Sequence, residues 1–247
     1  MRNTPGLVRS VAARTAFGLV ATAVVALSLP GAGWAVGLKT IKLAEPDKKR
    51  GLPFMEALSV KASAQDWSEK ELSAQDLSEL MWAANGVNRP DVKKYTASSA
   101  MNAHDVDLYV FMKDGVYVYD ADNHCLNPVL EGDFRSEVVP PPPPRPRAPA
   151  DSAQTPPPPP RPNPSTPPVL IVLISDTARF RAGTQELKQE WGAIDSGIVS
   201  QNISLFCAAT GLKTRPRASM DREKIRKLLN LRDTQFVLLN HPVGYAK

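Results

Sequence analysis

Within "TASSAMNAHDVDLYVFM", residues 96–112, stand Ser98, Ser99, Asn102 and His104, directly ahead of an alternating apolar run. Hydroxyl and amide side chains are short hydrogen-bonding arms, and small residues let a main chain approach a flat ligand closely. This cluster could therefore address the edge of a planar, polar molecule. A plain helix-to-strand connection uses the same residue types, and a turn accounts equally well for Ser98 and Ser99. For His104 the plain alternative is a solvated loop imidazole. Other chemistries have less support. The chain contains no Gly-x-Ser-x-Gly, and His104, His124 and His241 lack any metal-ligand spacing. Cys125 and Cys207 are too few to staple a fold; Cys207 lies in an apolar helical pattern and reads as a buried structural thiol. Whether the two cysteines pair is left open.

The elements that would position these groups follow from periodicity. In "SAQDLSELMWAANG" the residues Leu77, Leu80, Met81 and Ala84 keep helical spacing, Ser73 and Asp76 suit a capped start, and Gly86 is a stop. "DVDLYVFMKDGVYVYD" holds two alternating runs joined by Lys113-Asp114-Gly115, a hairpin signal. "VLIVLIS", residues 169–175, is a continuous apolar run suited to a strand covered on both faces. A long helix is predicted over about 184–210. Ile194, Ile198, Leu205 and Ala208 form its apolar stripe, Ala193, Gly197 and Ser200 allow close packing, and Gly211 stops it. Asp195 and the pair Gln201-Asn202 read as polar groups of a subunit interface. A helix at about 221–230 and a strand at 235–240 complete the order: helix, helix, hairpin, insertion, strand, long helix, helix, strand. That order predicts an α+β layer architecture.

Two segments stand outside this plan. Residues 1–35 read as a secretory signal, with Arg2, Arg9 and Arg14, an apolar stretch Ala16–Leu29, and small residues around Trp34 and Ala35. The apolar stretch is short for a spanning helix, so the expectation is an exported, periplasmic or secreted protein, off the membrane once the signal is cleaved; the alternative is an uncleaved N-terminal anchor. Residues 140–168, "PPPPPRPRAPADSAQTPPPPPRPNPSTPP", hold sixteen of the 24 prolines and must favour an extended polyproline-II form. This disordered insertion would divide the folded part into 36–139 and 169–247. It is either a docking ligand for a polyproline-binding partner or a stiff solvated spacer. The net charge of +5 belongs to these segments. Setting aside the signal arginines and Arg145, Arg147, Arg161 and Asp151 leaves 24 charges of each sign, which argues against a nucleic-acid partner.

Four stretches in order, "LMWAANGVNRP", "SSAMN" ahead of the hairpin, "EWGAIDSGIVSQNISLFCAATGLKT" and "VLLNHPVGY", make the chain resemble the nitroreductase-like flavoproteins. The resemblance is closest to their short SagB-type dehydrogenase branch and spans roughly 53–135 and 169–246. It implies a central antiparallel or mixed sheet flanked by helices, a long central helix, and a homodimer with one FMN in each interface cleft. Hydride would pass through the flavin N5 to a small-molecule substrate. The family's phosphate-gripping run, basic–basic–Ser–x–basic, maps onto Lys61-Ala62-Ser63-Ala64-Gln65, so Lys61 and Ser63 match while Ala62 and Gln65 replace basic residues. Charge-assisted contacts are roughly twice as strong as neutral ones, so these two departures weaken the expected grip. The family's loop addressing the ring and ribityl chain maps onto Ser98, Ser99 and Asn102, with His104 in place of a glutamine. In "GLKTRPRASMD", Thr214, Arg217, Ala218 and Ser219 fall where the family's main-chain donors approach the flavin; Arg215 and Arg217 could equally be solvated charges. The resemblance thus implies an exported FMN-dependent oxidoreductase. Its alternative is a catalytically degenerate relative serving as a binding or scaffold dimer. No dinucleotide fingerprint points to an electron donor.

Overall fold

The computed structural model describes residues 37–138 and 166–247. The expected signal at 1–35 and the proline-rich segment, apart from its last three residues, lie outside the described residues.

A short strand β1 (Ile41–Lys42) precedes helix α1 (Phe54–Val60), which ends where Lys61 turns extended. Helix α2 (Ala74–Asn85) starts where Ser73 Oγ accepts the Asp76 N–H and stops at Gly86, the bounds its capping residues predict. A two-stranded ribbon follows, β2 (Val87–Arg89) and β3 (Lys94–Tyr95). The hairpin consists of β4 (Val106–Phe111) and β5 (Gly115–Asp120), and β6 (Cys125–Glu131) extends it to a meander. Then come a one-turn helix α3 (Arg135–Val138), strand β7 (Val169–Asp176) and helix α4 (Gln185–Thr210). Thr184 caps α4 through the Leu187 N–H, and Gly211 ends it with a φ of 80°, a left-handed conformation that only glycine adopts without cost. Strand β8 (Lys213–Thr214), helix α5 (Arg222–Leu228) and strand β9 (Gln235–Gly244) close the chain.

Seven strands form one sheet in the order β1-β6-β5-β4-β7-β9-β8, and every pairing is antiparallel. Strand β7 lies between β4 and β9 and is buried along its whole length. Val169, Ile171 and Leu173 join Leu80 and Met81 of α2 and Val199 and Ile203 of α4 on one face. Leu170, Val172 and Ile174 join Ile225 and Leu229 at α5 on the other. An apolar run without alternation is what such a two-sided strand requires. The α+β architecture expected from the sequence, a central antiparallel sheet flanked by helices with one long helix, is the one observed.

Three local expectations are corrected. The sequence reading has no strand at Cys125–Glu131, because Asn127 and Pro128 break the alternation; Pro128 is accommodated next to a bulge opposite Val116 and Tyr117. Strand β9 runs on to Gly244 rather than ending at 240, because β7 pairs with it as far as Val169–Val243 and β8 adds Thr214–Val243 and Lys213–Gly244. Helix α4 is rotated relative to its expected stripe. Its buried residues are Gly192, Asp195, Ser196, Val199, Ser200, Ile203, Ser204 and Cys207, whereas Ile194 is 54% exposed. Gly192, not Gly197, is the point of close approach: a Cβ there would overlap Ser175 Oγ on β7, while Gly197 faces open space. Asp195 consequently points into the protomer, and Asn202 donates to Ala84 O at 3.3 Å.

Candidate functional site

A half-open cavity of about 530 Å³ lies where the run after α1 meets the C-terminal half of α4, β8 and the end of the chain. That volume is within the range of ligand pockets, roughly 300–1,000 Å³. Its wall is built by backbone pairing between distant stretches. Ala64 N–H donates to Thr214 O at 2.9 Å, and Ser68 N–H to Tyr245 O at 3.0 Å. Trp67, 1% exposed, donates its indole Nε1–H to Lys213 O at 3.1 Å and lies beneath the Arg217 guanidinium at 5.3 Å. These contacts place Ser63 and Gln65 opposite Ser204, Lys213 and Thr214, with Lys247 at the rim. Lys247 Nζ lies 3.0 Å from Asp66 Oδ2.

Thr214 is fixed from behind by a buried imidazole. Its Oγ1 donates to Pro242 O at 2.9 Å and so faces His241 Nδ1, 3.2 Å away, as an acceptor. That assigns the Nδ1–H tautomer and leaves Nε2 to accept from Ser200 Oγ at 2.8 Å. Burial pushes the His241 imidazole down to about 3, so it is neutral at physiological pH.

The residues singled out in the sequence divide between two places. Ser63, Gln65 and Thr214 line the cavity together with Ala62. Lys61 is exposed at the end of α1 and does not line it. Arg217 flanks the cavity through Trp67, but its N–H donates to Asn240 O at 2.9 Å, which makes it a β9 contact rather than a donor aimed outward. The carbonyls of Ala218 and Ser219 accept from Arg222 and Asn240, and neither residue lines the cavity.

Ser98, Ser99, Asn102 and His104 lie elsewhere in the protomer, beside Asp195 near the middle of α4. Asp195 precedes Cys207 of the cavity wall by a dozen residues, about 18 Å at the helical rise. The loop is internally bonded. Ser99 Oγ accepts the His104 N–H at 3.0 Å, Asn102 Nδ2 and His104 Nε2 are 2.9 Å apart, and Lys94 Nζ bonds Asn102 Oδ1. His104 lies against the Tyr95 ring at 3.9 Å, and burial lowers its pKa against the raising effect of the Lys93 main chain. Met101, Asn102 and His104 all have positive φ, so the turn holds three side chains in the left-handed region.

Sequence reasoning missed Ser200, Ser204, Lys213, Lys247 and His241 as cavity or support residues. Lys213 adjoins Thr214 in "LKT", and that adjacency was the available signal. His241 carries no signal in sequence, because its partners are 27 and 41 residues away.

The donor set is suited to an anionic, partly polar ligand. Ser63 and Gln65 offer neutral hydrogen bonds, Lys213 offers a cation, and Lys247 is paired with Asp66, whose carboxylate also lines the cavity. Cavity size and the Ser63, Gln65 and Lys213 donors fit FMN.

A sequence model of the Nitroreductase family matches residues 58–245. Among solved structures, a protein from Ralstonia eutropha JMP134 assigned as a nitroreductase superposes with a TM-score of 0.72 at 27% identity, covering 89% of this chain and 95% of that one. The Escherichia coli microcin synthetase McbBCD complex, with truncated pro-MccB17 bound, is similar at a TM-score of 0.60 and 16% identity, covering 75% of this chain and 69% of that one. A protein from Anabaena variabilis ATCC 29413, also assigned as a nitroreductase, gives 0.60 at 12% identity, covering 89% of this chain and 45% of that one. The last two likenesses concern the fold alone. No curated protein matches the chain.

Proposed function

Because the chain belongs to the nitroreductase family, an oxidoreductase family, we propose that it is an exported, FMN-dependent oxidoreductase working as a homodimer on a small organic acceptor. The observation that carries this reading is the cavity in which Ser63, Gln65, Lys213 and Thr214 converge. When bound, FMN would supply hydride transfer at N5, and the protein supplies position and electrostatics. Ser63, Gln65, Lys213 and Lys247 would hold the phosphate. Thr214, locked by neutral His241, would keep the β8 wall in place. The Ser98–His104 loop would reach a flavin ring across the dimer seam, since it does not line the cavity of its own protomer. We assign the chain to the short SagB-type branch on the four stretches quoted above.

The test is the visible spectrum of protein purified in the dark, before and after adding FMN. Oxidised-flavin bands that stay with the protein on gel filtration support the enzyme. A colourless protein that ignores added FMN would favour the second reading, a degenerate binding or scaffold dimer. Ala62, Gln65 and the Asp66–Lys247 pair, which competes with a phosphate for the ammonium, motivate that reading.

The dimer proposal rests on apolar side chains left uncovered on α1 and the outward face of α4. Phe54 is 63% exposed, Met55 73% and Ile194 54%, with Leu58, Val60 and Leu187 also exposed. Soluble monomers rarely expose apolar patches beyond a few hundred Å². Ile194→Glu is expected to convert a dimer to a monomer in multi-angle light scattering without loss of helicity. An unchanged mass for this variant would remove α4 from the interface.

Export rests on the signal-like residues 1–35 and is tested by the N-terminus of protein recovered outside the cytoplasm. No helix among the described residues is long and apolar enough to cross a membrane. The proline-rich segment is proposed as a docking element for a polyproline-binding partner, tested by deleting 140–168 and following that interaction.

A further inference from the structure

Two carboxyl groups are buried together behind the Ser98–His104 loop. Asp105 is 0% exposed and Asp195 3% exposed. Asp195 Oδ2 accepts the Ala100 N–H at 2.8 Å, tying the loop to α4. Asp105 Oδ2 accepts from Ser175 Oγ at 2.6 Å, and Asp105 Oδ1 has no hydrogen-bond partner among the described residues. Both carboxyl groups line one small space behind the loop. Two carboxylates have only acceptors to present, so a hydrogen bond between them needs one proton held by the pair. Gly192 makes room for it: a Cβ there would overlap Ser175 Oγ and reach Asp105 Oδ2 at 3.5 Å.

We propose that Asp195 is a positioning residue which, with a proton held against Asp105, fixes the Ser98–His104 loop, and that the loop loosens when that proton leaves. As a statement about flavin, the inference rests on the reading that this loop addresses the ring; as a statement about the loop, it stands alone.

The surroundings support retention of the proton. Burial, then the Asp105 hydrogen bond, pushes the Asp195 carboxyl up to about 7, against the opposing pull of the Ala100 N–H. Asp105 stands just ahead of β4 and Asp107 on it; from β7 come Ser175 and Asp176, from the loop His104, and from the turn after β7 Arg179. Arg179 is the cation of this set, and it is committed to Asp107 at 2.6 and 2.8 Å and to the His104 carbonyl at 2.6 Å. Asp176 is bonded by Arg232. None of these interactions supplies Asp195 with a cation of its own. The folded protein therefore holds a proton that the unfolded chain has released above about pH 4, so stability falls as pH rises from there towards 7 and levels off above it.

The loop itself tests the inference. Hydrogen exchange of the 99–104 segment is measured at pH 5.5 and 8.5 in the wild type and in Asp195→Asn, and the ratio of the two proteins at each pH removes the intrinsic pH dependence. An amide in place of the protonated acid accepts from Ala100 and donates to Asp105 at any pH. The expected ratio is near one at pH 5.5, with the wild type exchanging at least tenfold faster at pH 8.5. Equal exchange at both pH values overturns the proposal. Should Asp195→Asn fail to fold, Asp105→Asn serves, since its amide donates to an ionised Asp195 and is likewise expected to abolish the pH-dependent loosening. FMN affinity measured in parallel separates the two readings. Loss of the loop's pH response refutes the carboxyl pair, whereas a normal response in a protein that never binds FMN refutes the flavin reading alone.

Discussion

Trp67→Ala is expected to lower stability by about 3–5 kcal/mol, the range for removing a large buried aromatic. The ring is 1% exposed and does two further things. It donates to Lys213 O at 3.1 Å, and it supports the Arg217 guanidinium. Alanine leaves a void and an unmet carbonyl on β8, so the cavity wall should loosen with the fold. Urea denaturation measures the loss. Trp67→Phe keeps most of the packing and forgoes the hydrogen bond, and should recover all but about 1 kcal/mol. A Trp67→Ala variant within 1 kcal/mol of wild type would mean that the wall is held by its backbone pairing alone.

Lys213→Glu is expected to weaken FMN about a hundredfold at low salt, and Lys213→Gln about tenfold. A hydrogen bond to a charged group contributes roughly 1.5–3 kcal/mol, and each 1.4 kcal/mol is a factor of ten. Reversal adds repulsion to the lost attraction. Lys213 lines the cavity opposite Ser63 and Gln65, with Ala62 offering no charge. Riboflavin is the internal control because it lacks the phosphate: its affinity should change less than threefold in either variant. Added salt should shrink the difference between the two flavins. Equal losses for FMN and riboflavin would place Lys213 away from the phosphate.

The parts of the fold legible in the sequence are those where a local pattern and the tertiary environment ask for the same residues. Ser73 and Gly86 bound α2, Thr184 and Gly211 bound α4, and the apolar run 169–175 is a strand covered on both faces. Legibility fails where the two disagree. Pro128 belongs to β6 because a bulge absorbs its missing donor, a fact about its partner strand. On α4 Ile194 faces outward and Ile198, Leu205 and Ala208 are only half-buried, whereas the small polar residues Ser196, Ser200 and Ser204 are buried. Composition alone assigns the apolar side inward, which fails for a helix with apolar side chains on its outward face. The site was legible as segments rather than as a constellation. Ser63, Gln65 and Thr214 meet because Ala64 pairs with Thr214 across 150 residues, and no spacing announces that pairing. Asp195 was misassigned to an interface for the same reason: its partner Asp105 becomes a neighbour only once β4 lies beside β7.

The central place of β7 has a cost during synthesis. Its partners are β4, made well before it, and β9, the last strand in sequence. While the chain is being made, "VLIVLIS" therefore offers an uncharged, β-prone edge to any neighbouring nascent chain until β9 emerges. Pro167 and Pro168 bracket that stretch on one side and Asp176 on the other, residue types that halt strand growth and discourage stacking. Their replacement would be felt first as aggregation on expression, before any change in the finished fold.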